Sequence, residues 1–169
     1  MNETIFIRRS IRKFLDTPIE REVIERILSA GMHAPSAMNT QPWEFLVLTQ
    51  PETRKIIAEM SPYAKMAANA PAVILTLANL DLEKDEGWCV QGLAACSENI
   101  LLQIVEEGFG GVWLGIYPVR DRMKKLQEAF NLPKTLLPFS AIPFGYSECV
   151  NKPANRFIPS KIHYDQYRK

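Results

Sequence analysis

Two short segments near the amino-terminal end carry the residue types best suited to binding a small polar ligand. The first, residues 8–12, reads RRSIR and places three guanidinium groups and one hydroxyl within five positions. The second, residues 35–43, reads PSAMNTQPW and is polar but uncharged. Arginine presents a fork of N–H donors that matches a phosphate, and asparagine both donates and accepts hydrogen bonds. Together the segments predict a pocket for a ligand with an anionic end and a polar heteroaromatic end.

Basic side chains concentrate at the two ends of the chain, although its formal net charge is only +1. A small anion held by both ends would explain this distribution, and two separately solvated ends would explain it equally well. A nucleic-acid site usually presents a broad basic face with interleaved aromatic residues, so we expect no nucleic-acid partner. The basic residues are Arg8, Arg9, Arg12 and Lys13 near the start and Lys152, Arg156, Lys161, Arg168 and Lys169 near the end.

The cysteines and histidines lack the spacing of a metal site or a nucleophilic triad. Cys89 and Cys96 fall seven positions apart on one predicted helix, about 10 Å along its axis, which is too far for a disulfide. With Cys149, they are expected to be small buried apolar residues. His33 and His163 have no acidic or cysteine residue at ligand spacing. The sequence therefore predicts neither a metal site nor a protein nucleophile.

Length and composition suit one folded domain spanning residues 1–169, with residues 148–169 as an extended tail. Of the 169 residues, 47% are hydrophobic, which is enough for a substantial core. The longest uncharged run, residues 66–80, is too short to cross a bilayer. The first residues lack the basic and apolar regions of a signal peptide. We therefore expect a soluble cytoplasmic protein without membrane contact.

Periodicity and capping signals predict the helices. The longest, residues 86–107, is apolar on most sides and is expected to be buried, partly by another subunit. A capping box at residues 17–20 predicts a helix that begins with Pro18 and ends near residues 31–34. The others are a short helix capped by Asn2 and ending at Ile7 or Arg8, a helix over residues 51–60, a short one after residues 61–62, and one over residues 121–130.

Apolar runs predict four strands, at residues 44–49, 72–78, 112–116 and 139–145. The second run is continuous, as expected of a strand covered on both faces. Pro143 suggests that the last strand is an edge strand or contains a bulge. The glycines at 108–111 follow a helix and precede a strand, which is the wrong context for a dinucleotide-binding turn. We predict an α+β fold in which helices wrap a sheet, with Trp43, Trp88 and Trp113 in the core.

From residue 7 to the tail, the chain resembles the nitroreductase family of flavoprotein oxidoreductases. The resemblance rests on the two motifs at residues 8–12 and 35–43, in that order and with a helix between them. Shorter similarities come from residues 112–115, residues 143–145 and Arg156. The chain departs from the family pattern at Ala37, where a second serine is common, so a side-chain contact there is not expected.

The resemblance implies a mainly antiparallel central sheet and an intertwined homodimer with two FMN sites at its interface. Each site would use residues of both subunits. Carried over by position, Arg8, Arg9, Ser10, Arg12, Leu114, Gly115 and Arg156 would come from one subunit, and Pro35, Ser36, Ala37, Met38 and Asn39 from its partner.

The chemistry of these side chains fits such roles. Arg8 and Arg156 suit the phosphate, and Arg12 could approach the pyrimidine edge of the flavin, where its charge would stabilise the reduced anion. Gly115 would let the backbone come close to the ring. The open face of the flavin is expected near residues 60–66.

The activity implied is hydride transfer from NADH or NADPH to flavin N5, followed by reduction of a nitroaromatic, quinone or similar acceptor in a ping-pong cycle. The flavin carries this chemistry, so no catalytic side chain is expected. A specialised reaction, such as reductive dehalogenation or dehydrogenation of one metabolite, stays open within the same class. The alternative is a non-catalytic flavin-binding dimer that senses redox state or stores cofactor.

Overall fold

The computed structural model describes residues 4–149, 153 and 155–167. Within them, one antiparallel sheet runs in the order β1-β2-β5-β3, and β4 also pairs with β5. The strands are β1 (Trp43–Leu48), β2 (Ala72–Asn79), β3 (Gly110–Gly111), β4 (Leu114–Gly115) and β5 (Leu136–Gly145). The helices are α1 (Thr4–Ile7), α2 (Arg21–Met32), α3 (Pro51–Glu59), α4 (Glu86–Glu106) and α5 (Arg120–Ala129), with 3₁₀ turns at Ala37–Asn39, Lys65–Asn69 and Pro159–Lys161.

Strands β2 and β5 form the centre of the sheet and are covered on both faces. Their side chains alternate, so Ile74 and Ile142 enter a core formed with α2 and α4. Val73 and Leu75 enter a second core, formed with α3 and α5. The predicted α+β fold with a mainly antiparallel sheet is confirmed, as is the doubly covered strand at residues 72–78.

Helix α4 lies across one face of the sheet and matches its predicted length within one residue. Asp85 caps it by accepting a hydrogen bond from the Trp88 backbone N–H at 3.1 Å. Leu93, Ile100 and Ile104 are fully buried against the sheet and α2. Burial of these apolar side chains against the sheet and α2 stabilises the helix.

The predicted start of α2 is wrong. The helix begins at Arg21, and Glu20 before it is extended, with no capping hydrogen bond from its side chain. Thr17 precedes a proline, which disfavours helical backbone there. Ile19 packs against the core and holds this stretch outside the helix. The expected cap of α1, Asn2, lies outside the described residues.

Of the two alternatives predicted for the last strand, the edge position is wrong and the bulge is confirmed, although it does not lie at Pro143. Strand β5 is central, and the bulge lies where Thr76 and Leu77 of β2 pair with Ser140 and Pro138, away from Pro143. Pro143 has no N–H and therefore interrupts the hydrogen-bond ladder on the side of β5 that faces away from β2. Its carbonyl still accepts a hydrogen bond from the Val112 N–H at 3.2 Å. The strand predicted at residues 112–116 is therefore shortened to β4 (Leu114–Gly115), and β3 lies before the predicted range, at Gly110–Gly111.

Two predictions about buried residues need correction. Trp43 is buried and Trp113 packs against the core, but Trp88 is 49% exposed on the first turn of α4. Cys149 is exposed, whereas Cys89 and Cys96 are buried. Burial raises the pKa of Cys96 to about 12, so that thiol stays protonated and unreactive at neutral pH.

Among the described helices, none combines the length and apolar character needed to cross a membrane.

Candidate functional site

A cleft of about 410 Å³ opens beside β4, and we call it the β4 cleft. Its walls combine apolar side chains with two guanidinium groups, and none of the described residues that line it carries a carboxylate. It includes part of the segment over residues 60–66 that sequence reasoning assigned to an open face. The lining residues used below are Arg12, Tyr63, Met66, Trp113, Gly115 and Arg122.

The segment before Arg12 is fixed to the sheet by backbone hydrogen bonds. Ser10 forms a parallel bridge with Gly111, and the Ile11 N–H donates to the Gly111 carbonyl at 3.0 Å. Ile11 is buried above Gly110, where a Cβ would lie 2.7 Å from the Ile11 Cβ. Glycine at 110 thus permits the close packing that places Arg12 in the cleft.

Packing explains the glycine at position 110 but not the glycine at position 115. A Cβ at Gly115 would meet no heavy atom within 4 Å among the described residues beyond its chain neighbours. Its backbone is also outside the left-handed region, so its conformation does not require glycine. Gly115 is exposed in the wall of the β4 cleft, so its backbone can be approached from that cleft.

A second cleft, of about 680 Å³, lies between the two ends of the described chain, and we call it the terminal cleft. Arg8, Arg9 and Arg156 line it together with Glu98. The Arg8 Nε lies 3.1 Å from the Glu98 carboxylate, so this arginine is already ion-paired. Arg156 is exposed and has no ion pair among the described residues. Both ends of the chain therefore supply arginines to one cleft, and whether these bind an anion together stays a prediction.

A third cleft, of about 300 Å³, separates the turn at Ala37–Asn39 from the start of α4, and we call it the α4 cleft. Pro35, Ser36 and Ala37 line one side, facing α4 residues that include Trp88 and Gly92.

The turn beside the α4 cleft holds a strained backbone. Met38, Asn39 and Gln41 have φ values of 48°, 56° and 48°, which are unusual for residues other than glycine. The Ser36 hydroxyl accepts from the Gln41 N–H at 2.9 Å, and the Gln41 amide donates to Asn39 Oδ1 at 3.0 Å. Strain of this kind persists only where the surrounding contacts enforce it, and it is frequent at ligand sites.

The twelve predicted site residues are thus divided within one protomer. Arg12, Leu114 and Gly115 share the β4 cleft, and three arginines share the terminal cleft. Pro35 to Ala37 line the α4 cleft, with Met38 and Asn39 on its turn. Ser10 lies on the bridge to β3. The structure of one chain does not bring the two sequence motifs into a single cleft.

Sequence reasoning missed Arg122, which lies in the first turn of α5. Its Nη1 donates to the Gly115 carbonyl at 2.8 Å, at the edge of the β4 cleft. A cation in the first turn of a helix faces the positive end of the helix dipole. That unfavourable position was the available sequence signal.

Comparison with known proteins gives consistent matches over nearly the whole chain. The family model described as "Nitroreductase family" matches residues 5–76. A protein of Methanothermobacter thermautotrophicus, provisionally named NADH dehydrogenase/NAD(P)H nitroreductase, is 40% identical over 167 residues, which cover 98% of this chain and 86% of that protein.

Solved structures agree with this match. A crystal structure from Clostridium acetobutylicum, provisionally named NADH oxidase, has a TM-score of 0.93 at 41% identity and covers 97% of this chain and 99% of that one. A provisionally named nitroreductase from Desulfovibrio desulfuricans, in complex with FMN, has a TM-score of 0.85 at 28% identity and covers 98% and 96%.

Proposed function

The chain belongs to the nitroreductase family, and we propose that it is an FMN-dependent oxidoreductase that uses NADH or NADPH to reduce a small organic acceptor. With a quinone, NAD(P)H and one proton would yield the hydroquinone and NAD(P)⁺. With a nitroaromatic compound, the same two electrons and two protons would yield the nitroso compound and water. Donor and acceptor would use the same open cleft in turn, which is a ping-pong cycle.

The observation that best supports FMN binding is the open space at Gly115. Neither packing nor backbone conformation requires a glycine there, yet its missing side chain leaves the wall of the β4 cleft free. A flat ring can approach such a backbone closely. The apolar side chains of Met66 and Trp113 beside it suit an aromatic ring system.

The arginines fit the charged parts of the same cofactor. Arg156, Arg9 and Arg8 would hold the phosphate in the terminal cleft, with Arg8 sharing its five N–H donors between the phosphate and Glu98. Arg12 would lie against the pyrimidine edge of the ring. Its Nη1 donates to the Ser10 carbonyl at 3.1 Å, which fixes the guanidinium while leaving other N–H groups to donate.

The remaining contacts would come from a second copy of the chain. We propose that Pro35, Ser36, Ala37, Met38 and Asn39 of that copy close the site, with Ser10, Leu114 and Gly115 on the opposite side. The turn at Ala37–Asn39 supports this assignment because Met38 and Asn39 are exposed, its backbone is strained, and Asn39 Oδ1 accepts a hydrogen bond from the Gln41 amide.

FMN, when bound, supplies a reversible two-electron carrier between the nicotinamide and the acceptor. The protein would bind and orient the ring, exclude water with Met66 and Trp113, and place positive charge near it through Arg12. Charge acts strongly in such a partly dry site because the local dielectric constant is low. No side chain need act as a nucleophile.

An absorbance spectrum of the purified protein, repeated anaerobically with NADH and with NADPH, tests this proposal. We expect a yellow protein that bleaches on addition of reduced nicotinamide and regains its colour with a quinone. A colourless protein that does not bind added FMN would contradict the assignment. Turnover no faster than that of free FMN would instead favour a non-catalytic flavin-binding dimer.

A further inference from the structure

The arginines differ in whether a carboxylate neutralises them. Among the described residues, Arg8, Arg21, Arg26 and Arg120 each form an ion pair with a glutamate. Arg12 and Arg122, which both line the β4 cleft, have no carboxylate partner in that part of the chain. Each donates to a backbone carbonyl instead. The β4 cleft therefore carries two positive charges that form no ion pair with a described acidic side chain.

Arg122 lies at a helix end where a positive charge is unfavourable. It belongs to the first turn of α5, whose N–H groups already make that end of the helix positive. Arg120, two positions earlier, has the same disadvantage, but its Nη2 lies 2.9 Å from the Glu86 carboxylate. Arg122 forms no ion pair with a described carboxylate, although Asp121 in the same helix turn partly offsets the positive end of α5.

The other walls of the β4 cleft indicate the kind of anion that would fit beside Arg122. Met66 and Trp113 present apolar surface, and Tyr63 is 79% exposed at the same cleft, where its ring can cover a flat ligand. The combination of aromatic and thioether walls with a guanidinium suits a planar ring that bears an anionic group.

We propose that Arg122 is a specificity-determining residue that binds the anionic group of an aromatic electron acceptor. This inference rests on the proposed function. One Nη1–H is held by the Gly115 carbonyl, which aims the guanidinium and leaves its other donors for a carboxylate. Gly115 is also the residue proposed to lie against the flavin, so an acceptor held by Arg122 would be within reach of the ring.

Arg122 suits the acceptor better than the nicotinamide donor. The part of NADH or NADPH that must meet the flavin is a neutral carboxamide ring, and its phosphates are separated from that ring by a ribose. An anion bound by Arg122 would have to lie close to the reacting ring. A small carboxylated aromatic compound meets this requirement.

The test compares 4-nitrobenzoate with its neutral isostere 4-nitrobenzamide on the FMN-loaded protein. Their Kd values are measured by titration calorimetry without nicotinamide, and their kcat/KM values with NADPH or NADH. We expect the wild-type protein to bind the anion about tenfold more tightly, the range of a charge-assisted hydrogen bond. Arg122→Gln should abolish that preference, whereas Arg122→Lys should keep part of it. Arg120→Gln, on the same helix turn but ion-paired, is the matched control and should keep all of it.

Equal wild-type Kd values for the two compounds would overturn the inference without any variant being needed. Arg122→Gln would also overturn it if both compounds lost affinity equally, since that would show a purely structural role through Gly115. Failure of the proposed function would give a different result. The wild-type protein would still bind the anion more tightly, but it would reduce neither compound.

Discussion

At the scale of single residues, Gly110 and Gly115 both lie near β4 but are glycines for different reasons. Gly110 is required by packing, because a Cβ there would collide with the side chain of Ile11. Gly115 is free of such contacts and faces the β4 cleft. Packing therefore explains the first glycine, and the proposed flavin site would explain the second.

Gly115→Leu should leave the fold intact but weaken FMN binding at least tenfold, because the new side chain would occupy the space assigned to the ring. Gly110→Ala should destabilise the protein by about 1–3 kcal/mol through overpacking. Thermal unfolding and FMN titration of both variants measure the difference. Equal loss of stability in both would contradict the distinction between them.

Arg12 is proposed to act on the flavin through its charge. Arg12→Ala should weaken FMN binding about tenfold, as for loss of a hydrogen bond to a charged group. It should also lower the flavin reduction potential, because a nearby cation stabilises the reduced anion. Arg21→Ala, which removes an exposed arginine paired with Glu25, serves as the control and should change neither quantity. The same shift in both variants would indicate a nonspecific effect of net charge.

At the scale of elements, an ion pair fastens α2 to the end of α4. Arg26 donates from Nε and Nη2 to the two oxygens of Glu107 at 2.9 and 2.7 Å. Glu107 also accepts from the Gln103 amide at 3.0 Å. The hydrogen bond from Arg26, aided by that from Gln103, holds the pKa of Glu107 below its ordinary value of 4.5. A lowered carboxyl pKa means that the ionised form is favoured by folding.

The stabilisation by Glu107 should therefore be present above its unfolded pKa and disappear as the pH falls through the lower folded value. Between pH 5 and pH 3, the wild-type protein should lose more unfolding free energy than Glu107→Gln, which cannot titrate. Urea unfolding at several pH values in this range measures both proteins. Parallel pH curves would show that the pair contributes nothing measurable, as happens for many surface ion pairs.

A buried hydroxyl cluster connects α4 to the centre of the sheet. Thr76 Oγ1 lies 2.9 Å from Ser140 Oγ, which lies 3.1 Å from Ser97 Oγ, and all three residues are fully buried. Thr76 Oγ1 also accepts from the Ser140 N–H at 3.1 Å, at the bulge between β2 and β5. Ser140 pairs with Gly115, so the cluster supports the strand that lines the β4 cleft.

Thr76→Val should cost about 1–3 kcal/mol of unfolding free energy, because it keeps the shape of the side chain but leaves the buried Ser140 N–H without its acceptor. Thr49→Val, at an exposed threonine beyond β1, is the control and should change stability little. Urea unfolding measures both. A neutral result for Thr76→Val would mean that the cluster is not important for stability.

Local patterns predicted those elements whose causes are local. The apolar residues of α4 and the continuous apolar run of β2 were enough to predict these two elements, because those same residues are buried in the structure. The start of α2 and the shortening of the strand predicted at residues 112–116 depend on distant partners, namely the core around Ile19 and the missing N–H of Pro143. Trp88 was misplaced because its position on the helix, not its residue type, leaves it exposed.

At the scale of the whole molecule, the sequence motifs pointed to candidate residues but did not predict how these residues are divided among the clefts of one protomer. The family resemblance is confirmed by relatives that match nearly the whole chain. Arg8 and Arg156 share a cleft, as expected from the two basic ends. Arg122 was missed because only the pairing of β4 with β5 and the packing of α5 bring it to Gly115. The two residues are only seven positions apart, but their contact depends on how the chain folds between them.

The central claim is that the β4 and terminal clefts of one protomer and the turn at Ala37–Asn39 of its partner form one FMN site. Two variants test it: Gly115→Leu damages the first half, and Ala37→Trp fills the second. Each variant alone should retain little FMN. In a mixed dimer, one site would combine both damaged halves and the other both intact halves.

Refolding the two variants together in equal amounts, with different affinity tags, and measuring FMN absorbance per protomer is the most direct experiment. Random pairing predicts recovery of about a quarter of the wild-type FMN content, because half of the dimers are mixed and each has one intact site. Mixed dimers that are isolated through both tags and still bind no FMN would contradict the shared site.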